Sequence, residues 1–178
     1  MSEKLLNTIF VVEGKNDSER FKKLGVPYIV RTDGTKVPRE TINHLWALSL
    51  KHRIVALTDP DGPGRYISGL LEREILNITV LEIEKKFTTR KEKLGIENMP
   101  LPLLNAIITP YIGKEYISKS NVKFSDLVAL DLSGPGSKQR KLIIADKFNL
   151  LYGSLKSMYT QILLLDIKLI DLVEALNE

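Results

Sequence analysis

The chain has no cysteine among its 178 residues. Disulfides, thiol nucleophiles and thiolate-bound zinc are thereby excluded together, and a reducing cytosol is compatible with the absence. Histidine is nearly as scarce. His44 and His52 are the whole supply, and neither lies beside an acidic motif or at metal-pair spacing, so both are expected in core or surface roles. Cleavage chemistry that needs a pair of histidines is disfavoured for the same reason. No segment approaches the roughly 20 apolar residues that span a bilayer. The opening MSEKLLNTIFVVEG reads as a first strand rather than a leader, because its apolar run is short and Glu3 precedes it. A cytoplasmic location is expected. Gly14-Lys15 lacks the remaining glycine and the Ser or Thr of a phosphate-binding P-loop, and no internal repeat is visible.

What is present is ordinary globular material, 43% hydrophobic and 27% charged, enough to bury a core. Twenty-six basic against 22 acidic residues give +4 and a pI near 9.2, a mild bias toward polyanions. The first half alternates β-branched runs with helical periodicity. Strands are expected at Asn7 to Val12, Tyr28 to Arg31, Ile54 to Thr58 and Ile78 to Ile83. Helices are expected from Asn16, with Glu19 in capping-box spacing, from Pro38 and from Pro63. This order predicts an α/β fold, a mainly parallel sheet flanked by helices. Residues 84 to 100 carry five basic and three acidic residues without periodicity and read as an exposed loop. From Val122 onward only helical patterns occur, at Phe124 to Leu130, Lys138 to Leu151, Ser154 to Leu165 and Lys168 to Leu176. The expected division is residues 1–112, an α/β domain, and 113–178, a small all-helical one. Trp46 is expected in the core.

Three acids sit where chemistry gathers in such a fold. Glu13 follows the apolar strand IFVV, and Asp59 and Asp61 follow IVALT in the sequence LTDPDGPG. Side chains just beyond the carboxyl ends of parallel strands converge on one crevice. Carboxylates held together raise one another's pKa unless a cation joins them. Hard oxygen donors suit magnesium, with manganese as a substitute, and not zinc. The Asp pair by itself is also good turn chemistry, and Asp59 as a cap of the next helix is the competing reading. Glu13 tips the balance, since a lone acid at the end of a buried strand is costly without a function.

VVEGKNDSERFKKL followed by LTDPDGPGRYI resembles the Toprim signature, a Glu after the first strand and Asp-x-Asp-x-x-Gly after the third, with Gly64 in the last place. TDGT at 32–35 and the stretch from LSGPGSKQRK to LIDLVEAL resemble the ribonuclease M-five family, Toprim maturases of 5S ribosomal RNA. The resemblance implies a catalytic domain followed by an RNA-binding helical one. It implies Glu13 as the metal-linked acid or base, Asp59 and Asp61 as magnesium ligands, and Glu97 as a further acid, with Asn98 in place of a family His. It further implies precursor 5S ribosomal RNA as substrate and a large-subunit ribosomal protein on that RNA as partner.

Basic side chains are the candidates for gripping RNA phosphates: Lys15, then Lys85, Lys86, Arg90, Lys91 and Lys93 in the loop, and Lys138, Arg140, Lys141 and Lys147 on one helix. A solvated charged face is the plain alternative for each cluster. Among rival functions, the topoisomerase and primase members of the Toprim class need far more chain, and the recombination mediators need a four-cysteine site. A noncatalytic RNA-binding assembly factor would have no reason to keep all three acids.

Overall fold

The computed structural model describes residues 5–34, 36–84, 89–90 and 93–177, with backbone alone at 89–90 and 93–94. In chain order the first part runs β1 (Leu5–Leu6), β2 (Thr8–Val12), α1 (Lys15–Lys23), β3 (Ile29–Arg31), α2 (Arg39–Ser49), β4 (Arg53–Leu57), α3 (Gly62–Glu74) and β5 (Ile78–Leu81). Strands β3, β2, β4 and β5 form, in that order, a parallel four-stranded sheet. The expected α/β class and its alternation of strand and helix are therefore what the chain adopts.

The central strands are short and apolar on both faces because both faces are covered. Thr8–Val12 is buried at every position. Phe10, Val12, Val55, Leu57 and Leu81 pack with Phe21 of α1 in one cluster. The alternate residues Ile9, Val11, Ile54 and Ala56 are equally buried, as period-two side chains on the opposite face must be. Helices α2 and α3 supply Leu45, Leu48, Ile67 and Leu71, all without exposure. Register sets Val11 beside Ala56 and Leu57 beside Leu81. The residues that follow β2 and β4 consequently emerge along the same sheet edge.

Several local expectations are revised. Helix α1 is capped at Gly14, whose N–H donates to Asp17 Oδ2 at 3.0 Å, so the capping pair is Gly14 and Asp17 rather than Asn16 and Glu19. Trp46 is 46% exposed and belongs to the surface of α2. His44 and His52 are buried, the first against the Tyr28 hydroxyl at 2.9 Å and the second edge-on to the Tyr116 ring. The stretch read as loop carries a hairpin, β6 (Thr89–Arg90) with β7 (Lys93–Leu94), and a 3₁₀ turn at Ile96–Asn98. Then come α4 (Leu101–Ile108), a second 3₁₀ turn (Thr109–Tyr111) and β8 (Glu115–Tyr116). Strand β8 pairs antiparallel with β1. That two-stranded pairing ties residues 115–116 to the first part of the chain, and the chain divides into units 1–116 and 117–178 rather than at residue 112.

The second unit is all helical among its described residues: α5 (Phe124–Ala129), α6 (Ser137–Lys147), α7 (Leu155–Leu164) and α8 (Leu169–Asn177). Leu127, Ile144, Ile162 and Leu172 are fully buried in its core. Asp131, Asn149 and Asp166 follow the first three helices with positive φ near +55°, the left-handed stop that Asn and Asp tolerate best after glycine. Gln161 is fully buried and clamps the α6–α7 connection. Its Oε1 accepts from Leu151 N at 2.6 Å, and its Nε2 donates to Leu151 O at 3.1 Å.

Gln161→Leu leaves both Leu151 backbone groups without partners, which should cost the second unit about 2 kcal/mol or more. The chain's one tryptophan lies in the first unit. Urea unfolding should show an earlier loss of far-ultraviolet helix signal with an unshifted Trp46 fluorescence midpoint.

Candidate active site

Glu13 leaves β2 and Asp59 leaves β4 at the shared edge of the sheet. The two are joined directly: Glu13 Oε1 accepts a hydrogen bond from Asp59 N at 2.6 Å. Asp59 in turn uses Oδ1 to accept from Ile96 N, also at 2.6 Å, which ties the 3₁₀ turn to the site. Asp61 faces another way. It is the N-cap of α3 and accepts from Gly64 N at 2.7 Å, so the capping acid is Asp61 and not Asp59. The last glycine of the motif is needed for space. A Cβ at Gly64 would run into the Asp59 carbonyl and stand 2.8 Å from Glu13 Oε1.

The sequence singled out too few acids. Asp17 is buried beneath the Glu13–Gly14 turn through its bond to Gly14 N. Its signal was an Asp three residues past a glycine that opens a helix. Glu97 reaches back across the sequence, its Oε2 accepting from Asn16 Nδ2 at 2.6 Å. With Asp33, which Arg31 meets at 3.4 Å, Glu13, Asp17, Asp59 and Glu97 line an open cleft of about 510 Å³. Among the described residues Lys15 is the one cation on that lining. Gly95 holds φ +148° at the base of the 3₁₀ turn, a conformation open to glycine, with Asp59 Oδ2 beside it.

Crowding and burial act together on the acids. Glu13 is pushed up to about 7, chiefly by burial. The bond from Asp59 N opposes the rise, and the charges of Asp59, Asp61 and Asp17 add to it. Asp17 is raised to about 6, again first by burial, with the charges of Asp59 and Glu97 adding. Asp59 is raised by burial and by Asp61 and Glu97, against the bond from Ile96. Burial therefore outranks the mutual repulsion that the motif suggested.

The donor set fits a hard divalent cation, since Glu13 and Asp59 each have one oxygen held by a backbone N–H and a second oxygen not so engaged. As they stand, no three acidic or histidine side chains among the described residues are gathered closely enough to hold an ion. Asp61 points to its cap and Asp59 Oδ1 to Ile96, so a complete shell requires side-chain rotation or water. Asn98 Nδ2, beside Gly95, is buried without a partner among the described residues.

Of the expected basic residues, Lys15 lines the cleft and four lie on α6. Lys85, Lys86 and Lys91 lie outside the described residues, as do the side chains of Arg90 and Lys93. On α6, Lys138 is exposed, and Lys141 stands 5.1 Å from the Tyr152 ring. Arg140 Nε donates to Leu130 O at 2.9 Å and so fastens α6 to the end of α5. At 100° per residue Lys138 and Lys141 share a face, while Arg140 and Lys147 lie toward another.

The raised acids set a pH dependence of stability. A carboxyl whose folded pKa exceeds its unfolded one favours folding at low pH, and that contribution is lost as pH rises through the folded value. For Glu13 the window runs from 4.5 to about 7 and for Asp17 from 3.8 to about 6. Without divalent ions the protein should therefore lose stability from Glu13 between about pH 4.5 and 7, and Glu13→Gln should flatten that decline. Melting temperatures in chelator across this range check it. A wild-type profile that Glu13→Gln leaves unchanged would show the acid to be unperturbed.

Residues 8–90, which hold the whole four-stranded sheet together with Glu13, Asp59 and Asp61, match the Toprim domain family. Curated relatives named ribonuclease M5 align along nearly all of the chain. The protein of Mesoplasma florum is 28% identical over 98% of this chain and 100% of its own length. That of Bacillus subtilis is 23% identical over 97% and 94%, and that of Mycoplasma genitalium 23% over 91% and 90%. Over its sheet the first unit thus matches the Toprim domain family, and the chain is similar along nearly its full length to proteins named ribonuclease M5.

Proposed function

We propose that this chain is a divalent-metal-dependent endoribonuclease that processes precursor 5S ribosomal RNA by phosphodiester hydrolysis, with Glu13 and Asp59 at its centre. The single observation that carries the reading is the Glu13–Asp59 contact at the carboxyl edge of a Toprim sheet, in a chain whose relatives are ribonucleases. Toprim nucleases as a class depend on divalent metal. Magnesium, with manganese as substitute, is the ion that the hard carboxylate oxygens favour. Glu13, Asp59 and Glu97 would hold it, with Asp61 joining if its cap opens. The ion, when bound, supplies charge neutralisation at the scissile phosphate and acidifies water.

The remaining chemistry belongs to the chain. Glu13 Oε2, the oxygen left free when Asp59 N bonds to Oε1, is the group that would take the proton from the attacking water. Water oxygen bonds to phosphorus, the bond to the leaving ribose oxygen breaks, and that oxygen receives a proton. Asp59 N holds Glu13 Oε1 so that the other oxygen faces the cleft. Asp61 fixes the start of α3 and so the position of Gly64 against both acids. Lys15 at the cleft and Lys138 and Lys141 on α6 hold backbone phosphates of the RNA. A large-subunit ribosomal protein that shapes the 5S RNA is the proposed partner, and the cytoplasm the proposed location. No helix among the described residues is long and apolar enough to cross a membrane.

Precursor 5S RNA incubated with the protein and magnesium should yield discrete product ends, and chelator should abolish cleavage while circular dichroism stays unchanged. Glu13→Gln keeps shape and hydrogen bonding but cannot accept the proton. Its single-turnover rate should fall at least about 100-fold with gel-shift affinity retained. A mutant that cuts at the wild-type rate makes Glu13 a structural acid.

Charge reversal at Lys138 and Lys141 should weaken binding and flatten the log-log salt slope by roughly 0.7 to 0.9 for each phosphate no longer neutralised. An unaltered slope would leave those lysines as a solvated face. Arg140 is kept, because its bond to Leu130 is structural.

A further inference from the structure

A second cavity, of about 470 Å³, shares Asp59 with the first. It opens over the ends of β4 and β5 and is roofed by α3. Val80, Leu81, Glu82 and Ile83 line it along β5 and just beyond, and Asp59 stands in its wall. The residues of α3 that face it are Arg65, Ser68, Gly69 and Glu72, at helical positions i, i+3, i+4 and i+7, which form one stripe. The Ser68 hydroxyl is already paired with Thr58 at 2.7 Å. Arg65 is exposed, and its guanidinium has no partner among the described residues.

Gly69 is the anomaly. It lies inside a 13-residue helix, where glycine destabilises relative to alanine. Packing does not ask for it, since a Cβ there would meet nothing within 4 Å and its φ lies outside the positive range. Its missing side chain leaves open space on the stripe of α3 that lines the cavity.

We propose that this cavity receives the ribonucleoside next to the scissile phosphate, splayed out of its stack, with Arg65 on the adjoining phosphate. The proposal rests on the endoribonuclease reading above and adds a substrate subsite to it. Asp59 is the wall shared by both cavities, so an RNA strand that crosses the sheet edge with one phosphate at Glu13 and Asp59 presents its neighbouring nucleoside to the β4–β5 side. A base and sugar fit the volume. Val80 offers an apolar contact for the base, and Glu72 and Glu82, which also line the cavity, can accept hydrogen bonds from base or ribose donors.

The test fills the cavity from Gly69. Gly69→Ala and Gly69→Leu both introduce better helix formers into open space, so neither should lower the melting temperature. Single-turnover cleavage of precursor 5S RNA should nevertheless fall in order of added volume, with Gly69→Leu raising the half-saturating RNA concentration at least about tenfold. Arg65→Gln, at an exposed position, should raise it as well, by severalfold, and lower the salt slope. The decisive comparison uses precursor RNA made abasic at the nucleotide beside the cut. Wild type should drop toward the Gly69→Leu rate on this substrate, while Gly69→Leu should fall little further, because the two changes remove the same interaction. Equal cleavage by wild type and Gly69→Leu, or an abasic penalty of the same size in both, overturns the subsite. A wild-type protein that cuts no precursor RNA overturns the functional reading beneath it, and the subsite with it.

Discussion

The site depends on one short contact, the hydrogen bond from the backbone of Asp59 to the carboxylate of Glu13. Its two partners are 46 residues apart in sequence and meet because β2 and β4 are parallel neighbours whose register ends together. Parallel pairing requires the long crossover through α1, β3 and α2, so those elements exist in part to make two loops coincide. Gly64 follows from the same contact. Helix α3 can start this close to both acids only if its third residue carries no side chain.

Burial, more than mutual repulsion, gives the acids their character. Glu13, Asp17 and Asp59 are all raised first by desolvation, and each is restrained by a backbone N–H that prefers the ionised form. The arrangement keeps Glu13 balanced between protonated and ionised near neutrality. It also holds an electrostatic strain that a bound cation relieves. The 3₁₀ turn at Ile96–Asn98 takes part on both sides, through Ile96 N on Asp59 and Glu97 on Asn16. A segment with little regular structure is therefore held by the polar groups of the site.

The second unit likewise uses buried polar groups to join its elements. Gln161 closes a helix connection from inside the core, and Arg140 uses part of its guanidinium to cap α5. Only some of the basic residues on α6 are left for phosphates. Lys138 and Lys141, on a common face, are better placed for that than a count of charges along the helix suggests.

Sequence alone determined the alternation of strands and helices, the parallel sheet, and Glu13, Asp59 and Asp61 as the acids to watch. Buried apolar runs and turn residues mark those features locally, and the order of elements leaves few topologies. Tertiary structure decided what depends on distant partners. Asp17 and Asn16 lie within a segment that reads as plain amphipathic helix, and their roles appear only once Gly14 caps α1 and Glu97 arrives from 81 residues away. Strands β1 and β8 are two residues each, too short for any periodicity, and exist through each other. Asp61 turns to its helix while Asp59 turns to Ile96, a choice between two acids of one motif that only packing around Gly64 could make.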